Sequence, residues 1–540
     1  MPSRRQLHRR IKISFRHPTG CARSRARRRA AIAVARTPGS SHHTRIPCAL
    51  RALVSGSIIV ALLAGCASGN DDSASRQPLD LQTLHAGDDI SEAHRNADAV
   101  DAPTAARDTS AWWRAFGDDQ LTSLMALAAQ SAPSIHAAQA RLRQAEAAGA
   151  AAAADRYPRV DGAASATVDR FPNHYTFPSP YAGNYGSQGS LGVSLQYHLD
   201  FWGKWRDAAH AAEWRARAAE FEAADARLVL QTSLAAAYLR LDATYRLRDV
   251  AEQGLARRNG LIAVLSERRR AGLETDIGLV ASEDAVSLTR AEVARYDAQI
   301  AGHRHMIAAL LGQSPAFADT LARPHVRPSA DPAPVSNLPA VLLGYRPDVA
   351  ARRSAAEAAA KDIGVARAAF YPDVDLSAFA GLQSLGLGYL LRAGSTSAQI
   401  GPAITLPIFE GGRLRANLRG RVAEYDAAVS AYNATVVNAL QQVADAVATL
   451  KAARTRQDTA RGSNGHWMRV VALHRLRQQS GLSDTRDLLN AQTALLLSQR
   501  REAEADADVA EAQIALIRAL GGAWSPSAAS QTFTISQRQS

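Results

Sequence analysis

"DRYPRVDGAASA" at 155–166 returns as "AFYPDVDLSAFA" at 369–380. In both places an Ala-rich run stops at Tyr-Pro and gives way to small and apolar residues in alternation with polar ones. Proline cannot continue a helix and biases the residue before it to extended geometry, so each copy marks a helix handing over to a strand. Three further matches follow in the same order. "LDFWGKW" (199–205) pairs with "LPIFEGGRL" (406–414), "RAGLETDIGLVASEDA" (270–285) with "QSGLSDTRDLLNAQTA" (479–494), and "ALLGQ" (309–313) with "ALGGA" (519–523). Four ordered matches at a period of about 210 residues identify an internal duplication.

Each half is expected to begin with a helix, 118–154 and 347–369. Two strands of about 10 residues follow, the second pair reading "SLGVSLQYHL" (190–199) and "AQIGPAITLPI" (398–408). The loops between strands, 172–189 and about 385–397, are read as rich in Pro, Gly, Asn and Tyr. A long helix comes next. From Gly203 to about Gln253 no Pro or Gly intervenes, and roughly 50 residues at 1.5 Å each give about 75 Å. In the second half Val422, Tyr425, Val429, Tyr432, Val436, Leu440, Val443, Val447 and Leu450 step by 3 and 4, the seam of a coiled coil. Return helices are predicted over 258–311 and 464–521, with "RRRAGLETD" and "RQQSGLSDT" as breaks within them. That places the hairpin tips near 250–262 and 455–466, with "ARGSNG" (460–465) as tip turn chemistry.

The charge is concentrated at one end. The 540 residues carry a formal +13, but residues 1–65 hold 14 Lys and Arg and no acid. The remainder has 49 basic and 50 acidic side chains, net −1, which removes the basis for a nucleic-acid partner. An apolar segment, 52–63, ends the leader. It is too short and too interrupted for a transmembrane helix, which needs roughly 20 apolar residues, and fits an export signal with its start codon open to reassignment. The cysteines are Cys21, Cys48 and Cys66, so an exported chain cut before Cys66 has no disulfide to rely on.

Four strands per chain cannot close a barrel, and open edges are not tolerated in lipid. Strands of about 10 residues suit an outer-membrane barrel. Three chains pooling four strands each make twelve, with Tyr175, Phe177, Tyr181, Tyr185 and Tyr197 as an interfacial girdle. The fold class expected is therefore mainly α with a transmembrane β-barrel: long coiled-coil hairpins forming an α-helical tunnel, a trimeric 12-stranded barrel, and an internal two-fold repeat. The divisions are 1–65 signal and basic leader, 66–110 tether, 111–314 first repeat, 315–339 Pro-rich joint, 340–524 second repeat and 525–540 tail.

Two resemblances bear on this reading. Leu63-Ala64-Gly65-Cys66 resembles a bacterial lipobox. That implies cleavage before Cys66, diacylglyceryl transfer to its thiol and acylation of its amine; Ala67 at the following position implies sorting to the outer membrane. "WWRAFGDDQL" (112–121), "YRPDVAARRSAAEAA" (345–359), "IGVARAAFYPDVDL" (363–376) and "ALGGAW" (519–524) resemble TolC-type outer-membrane efflux factors, closest to their NodT/OprM-type lipoprotein branch. The likeness spans about 110–524, and departs where "SAPS" (131–134) replaces the common Asn-Pro-Asp, a local change in a turn. It implies a homotrimeric exit duct, seated in outer-membrane lipid and serving a tripartite pump with a periplasmic adaptor and an inner-membrane transporter. No cofactor is implied beyond the lipid on Cys66.

Candidate catalytic groups do not assemble into an enzyme reading. There is no GxSxG, P-loop or CxxC. His303 and His305 lie about 200° apart on a helix and are read as surface side chains. Glu220/Glu222 and Asp506/Asp508 are read as solvated coiled-coil faces, and Ala147–Ala154 as close helix packing. Tunnels of the resembled family narrow at the tip with carboxylate rings, which makes Asp445 and Asp458 candidate lumenal gate residues. A structural coiled-coil lipoprotein without a pore is the alternative; a periplasmic adaptor would have one hairpin, not two in tandem.

Overall fold

The computed structural model describes residues 76–79, 109–326 except 175 and 178, and 346–522. Cys66, the leader, most of the tether, much of the joint and the tail lie outside them. The first repeat runs α1 (Asp119–Ser131), α2 (Pro133–Ala154), β1 (Arg159–Arg170), β2 (Tyr185–His198), α3 (Lys204–Arg270) and α4 (Asp276–Leu310). The second runs α5 (Pro347–Ala368), β3 (Asp373–Leu385), β4 (Thr396–Thr405), α6 (Arg413–Gln479) and α7 (Thr485–Ala519). The duplication is metrically tight: α2 and α5 have 22 residues each, α3 and α6 have 67 each, and α4 and α7 have 35 each.

The helix expected over 118–154 is two helices. Ala132 is extended and Pro133 takes the first position of α2, where its missing N–H costs nothing. Asp118 caps α1, accepting from the N–H groups of Gln120 and Leu121 at 2.9 and 3.1 Å. Its other oxygen accepts from His325 N at 2.8 Å, tying the end of the first repeat back to its start.

The four strands form one antiparallel sheet in the order β1-β2-β3-β4. Each repeat supplies one hairpin, and the β2–β3 pairing joins them, with Val193 opposite Ala380 and His198 opposite Asp375. Phe379 lies over Gly192 and Gly381 on the opposite face from Val193. A Cβ at Gly192 would fall 2.6 Å from its ring, so glycine there makes room for the aromatic.

Two cores sit where the long helices pass the short ones. In the first, Leu234, Tyr238 and Leu241 of α3 meet Phe116, Leu121, Leu124 and Ile307. In the second, Tyr432, Val436, Val443 and Leu450 of α6 meet Val349 and α7 residues Val509 and Leu516. The expected α6 seam holds, with Leu440 and Val447 partly buried against it. The seam also includes Ala439, Ala446 and Ala453, all buried, whose small side chains let helices approach closely.

The tips are not where the sequence placed them. α3 continues through Gly254 and Gly260 to Arg270, and α6 through Gly462 and Gly465 to Gln479. Each long helix is thus about 100 Å at 1.5 Å per residue. "RRRAGLETD" and "RQQSGLSDT" are the hairpin turns themselves, not breaks in the return helices. An interior glycine costs about 1 kcal/mol, which tertiary contacts offset here. "ARGSNG" is helical and knit to α7: Asn464 Nδ2 donates to Glu502 Oε2 at 2.5 Å, and Ser498 Oγ donates to Ser463 Oγ at 3.3 Å. At the true turns Gly272 and Gly481 take positive φ (72° and 73°). Leu273 N donates to Arg268 O, and Leu482 N to Arg477 O, both at 2.8 Å, closing each helix in the same left-handed cap.

Candidate functional site

The sheet has one apolar and one polar face. The register aligns Val160 with Leu195, Leu191 with Leu382, and Val374 with Ile404 on one side. On that side Val160, Val168, Leu191, Val193, Ile400 and Ile404 are exposed in the single chain. The other side carries Asp161, Thr167, Gln188, Ser194, Gln196 and Ser377, by the two-residue alternation of a strand. Apolar outside and polar inside is the pattern of a membrane barrel. Among the described residues no helix is long and apolar enough to cross a membrane.

Aromatic residues flank the apolar band, though not as expected. Tyr185 is exposed at the loop end of β2. Phe177 and Tyr181 instead fold inward around buried Phe171, at 4.4 and 6.2 Å between ring centres, and Tyr197 lies half-buried at the helix end. Tyr175 lies outside the described residues. The exposed aromatics at the helix end are instead Tyr157, Phe201, Trp202, Tyr371 and Phe409, residues suited to a membrane interface. Trp202 stacks on Tyr371 at 4.6 Å and its Nε1 donates to Pro372 O at 2.9 Å. These flank Tyr-Pro and the turns into α3 and α6, so the punctuation that marked the strands also marked these aromatics.

Arg346 is the best-buried cation of the helical region among the described residues, with a side chain 8% exposed. Its Nε and Nη2 donate to the two oxygens of Asp348 at 3.0 and 2.8 Å, Nη1 to Ala519 O at 2.8 Å, and Nη2 also to Gln442 Oε1 at 2.9 Å. It thereby ties the start of α5 to α6 and to the end of α7. Sequence reasoning used "YRPDV" only as a likeness; the signal was an arginine before Pro-Asp at a helix start. Beside it lies a cleft of about 570 Å³ lined by Asp225, Asp348, Asp445 and Arg518. Burial, then the Asp348 charge, pushes the Asp225 carboxyl above the ordinary range, against Arg518 and Arg346.

Asp445 therefore sits at the middle of α6, lining this cleft and accepting from Gln441 Nε2 at 3.4 Å. Asp458 is exposed further along the same helix, still about 30 Å short of the tip. The two lie about 20 Å apart along a straight helix and about 140° apart around it, so they do not share a face. The tips present a different charged set. Arg268 reaches Asp484 at 3.4 Å and Glu274 at 3.8 Å, and Arg486 reaches Glu274 at 3.7 Å, linking the two hairpins. Leu273, Ile277, Leu476 and Leu482 are exposed around it.

Glu220 and Glu222 are exposed, as a solvated helix face requires, while Asp506 and Asp508 pair across the helices. Asp506 accepts from Gln457 and Arg461, and Asp508 from Arg456, across α6 and α7. His303 is half-buried, its pKa lowered by burial and then by Arg240, while His305 is exposed.

A paired-hairpin helical body carrying a membrane-type sheet defines an outer-membrane channel architecture, and the comparisons agree. The outer membrane efflux protein family model matches residues 124–313 and 338–522, and the chain belongs to that family. It is an efflux channel of the outer membrane. The chain is 36% identical over 362 residues to the fusaric acid resistance protein FusA of Burkholderia cepacia, covering 66% of each chain. It is 31% identical over 424 residues to outer membrane protein OprJ of Pseudomonas aeruginosa, covering 78% of this chain and 88% of that one. The crystal structure of the outer membrane protein VceC from Vibrio cholerae superposes with a TM-score of 0.70 at 36% identity, over 77% of this chain and 99% of that one.

Proposed function

We propose that three copies of this chain assemble into the exit duct of a tripartite efflux pump, handed its cargo by an inner-membrane transporter through a periplasmic adaptor. The observation that carries this is a four-stranded sheet with two unpaired edges and an exposed apolar face. Free edges do not survive in lipid, so β4 of one copy pairs with β1 of the next until twelve strands close. A coiled-coil lipoprotein without a pore has no use for such a face. The hairpins then extend about 100 Å from the barrel as a tunnel, and their exposed tip leucines serve the adaptor. A resistance relative such as FusA fits export of small organic molecules. Passage through the duct asks for no covalent chemistry and no cofactor beyond the lipid on Cys66.

Cys66 is the proposed lipid anchor in the inner leaflet of the outer membrane. Arg76 N donates to Asp426 Oδ1 at 3.2 Å and Leu79 N to Asn433 Oδ1 at 2.8 Å, laying 76–79 along α6. Asp426 is 13 residues, about 20 Å, along α6 from its barrel end at Arg413. The ten residues from Cys66 to Arg76 reach up to about 35 Å when extended, enough to return to the membrane. Asp445 and Asp458 are kept as separate ring candidates, since a threefold ring of carboxylates repels itself and draws cations.

Barrel closure is tested in cells by disulfide crosslinking. Single cysteines along β1 are combined with one on β4. A ladder ending at a covalent trimer is expected. Absence of crosslinks at every register would remove the shared barrel.

A further inference from the structure

The polar face of the sheet ends, at its helix side, on three side chains that the duct reading does not use. β2 delivers His198, and β3 delivers Asp375 directly opposite it and Asp373 two residues earlier on the same face. One imidazole nitrogen of His198 and one oxygen from each carboxylate all lie within 4.8 Å of one another. Nδ1 contacts Asp375 Oδ1 directly. The imidazole stacks on Trp205, in the first turn of α3, at 4.6 Å and 25°, which fixes its plane. Lys204 Nζ lies 2.7 Å from Asp373 Oδ2 and 4.9 Å over the Trp205 ring. His198, Lys204 and both aspartates are each about two-thirds covered.

We propose that His198, Asp373 and Asp375 form a binding site for a divalent transition-metal ion of the zinc type, at the elbow where the barrel passes into the tunnel. One imidazole and two carboxylates are a nitrogen–oxygen donor set that suits zinc, whereas magnesium and calcium favour oxygen alone. Zinc holds such ligands at about 2.0–2.2 Å, so the direct contact between His198 and Asp375 opens and Asp373 draws in as the ion enters between them. Water completes the shell on the open, lumenal side. Trp205 supports the site from behind, as outer groups do for metal-bound histidines.

Lys204 makes the proposal specific. Its ammonium already neutralises Asp373, so an incoming ion must displace it, and wild-type affinity is held down. An occupied site links β2 and β3 through one ion. The site lies within one chain, so it stands or falls independently of the trimeric duct.

The test is calorimetric titration of zinc chloride into the tag-free mature chain in detergent, with magnesium chloride as control. We expect one saturable zinc site per chain that magnesium does not fill. His198→Gln is expected to weaken it at least about tenfold, and Lys204→Gln to tighten it by about tenfold. Lys204→Gln keeps the test sound if His198→Gln disturbs folding. Cobalt substitution should give a visible absorption band that disappears in Asp375→Asn. Zinc binding unchanged in His198→Gln, or a Lys204→Gln chain no tighter than wild type, would overturn the assignment.

Discussion

Arg268 and Asp484 face each other at 3.4 Å across the tips of two different hairpins. One belongs to the last turn of α3 and the other caps α7, accepting from Asp487 N at 3.1 Å. Both are partly exposed, so the pair is worth at most about 1 kcal/mol. That is weak enough for a docking partner to undo. Replacing Arg268 and Arg486 together with alanine should leave the melting temperature nearly unchanged and raise single-channel conductance, because the link through Glu274 is lost as well. Unchanged conductance would place the constriction away from the tips.

Gly481→Ala should destabilise the tip by about 1–2 kcal/mol, since its φ of 73° forces a Cβ against the following carbonyl. Nothing lies within 4 Å of that Cβ, so the cost is backbone strain alone. Gly462→Ala, in the α6 interior, should stabilise by up to about 1 kcal/mol. Hydrogen exchange across 476–490 separates the two; equal effects of both changes would contradict the turn assignment.

Arg346→Ala should be costly. It strips Asp348, Gln442 and Ala519 O of a buried donor, and breaking such a pair costs about 3–5 kcal/mol. Arg346→Lys should recover only part of this, because an ammonium cannot serve both oxygens of Asp348 while holding α6 and α7. Urea unfolding of the detergent-solubilised protein reads both. Full recovery by lysine would show that charge alone matters.

Asp225 sets a pH dependence in the opposite sense to a paired surface acid. Its folded pKa lies above the ordinary 3.8, so the folded state holds the proton more tightly than the unfolded one. The contribution to stability is largest below pH 3.8 and is lost as pH rises through the raised value. At neutral pH the ionised carboxylate is a burden that Asp225→Asn removes. The variant should be the more stable at pH 7, and the gap should narrow on acidification. A constant gap from pH 4 to 7 would contradict the burial argument.

Much of the fold was legible because proline and alternation are local signals. Tyr157-Pro158 and Tyr371-Pro372 fixed where helices become strands, and the strand pattern already separated an apolar face from a polar one. The tips were misread because "ARGSNG" is rich in turn residues, yet its Ser463 and Asn464 serve α7. The better signal was the repeat itself. Gly-Leu followed two residues later by Thr275 or Asp484 at the N-cap of the return helix occurs in both halves, while "ARGSNG" has no counterpart in the first. The elbow cluster was beyond local reading: His198 and Asp375 are 177 residues apart and meet only through the β2–β3 register. Arg346 was visible as a motif, but its role depends on the start of α5, the middle of α6 and the end of α7 converging.

The central claim is a threefold duct, and the most direct measurement is single-channel conductance of the purified mature protein in planar bilayers, with oligomer mass from the same sample. A gated duct gives a trimer with small, mostly closed currents that Arg268→Ala with Arg486→Ala enlarges. A monomer or dimer with no conductance would contradict it and leave a coiled-coil lipoprotein without a pore.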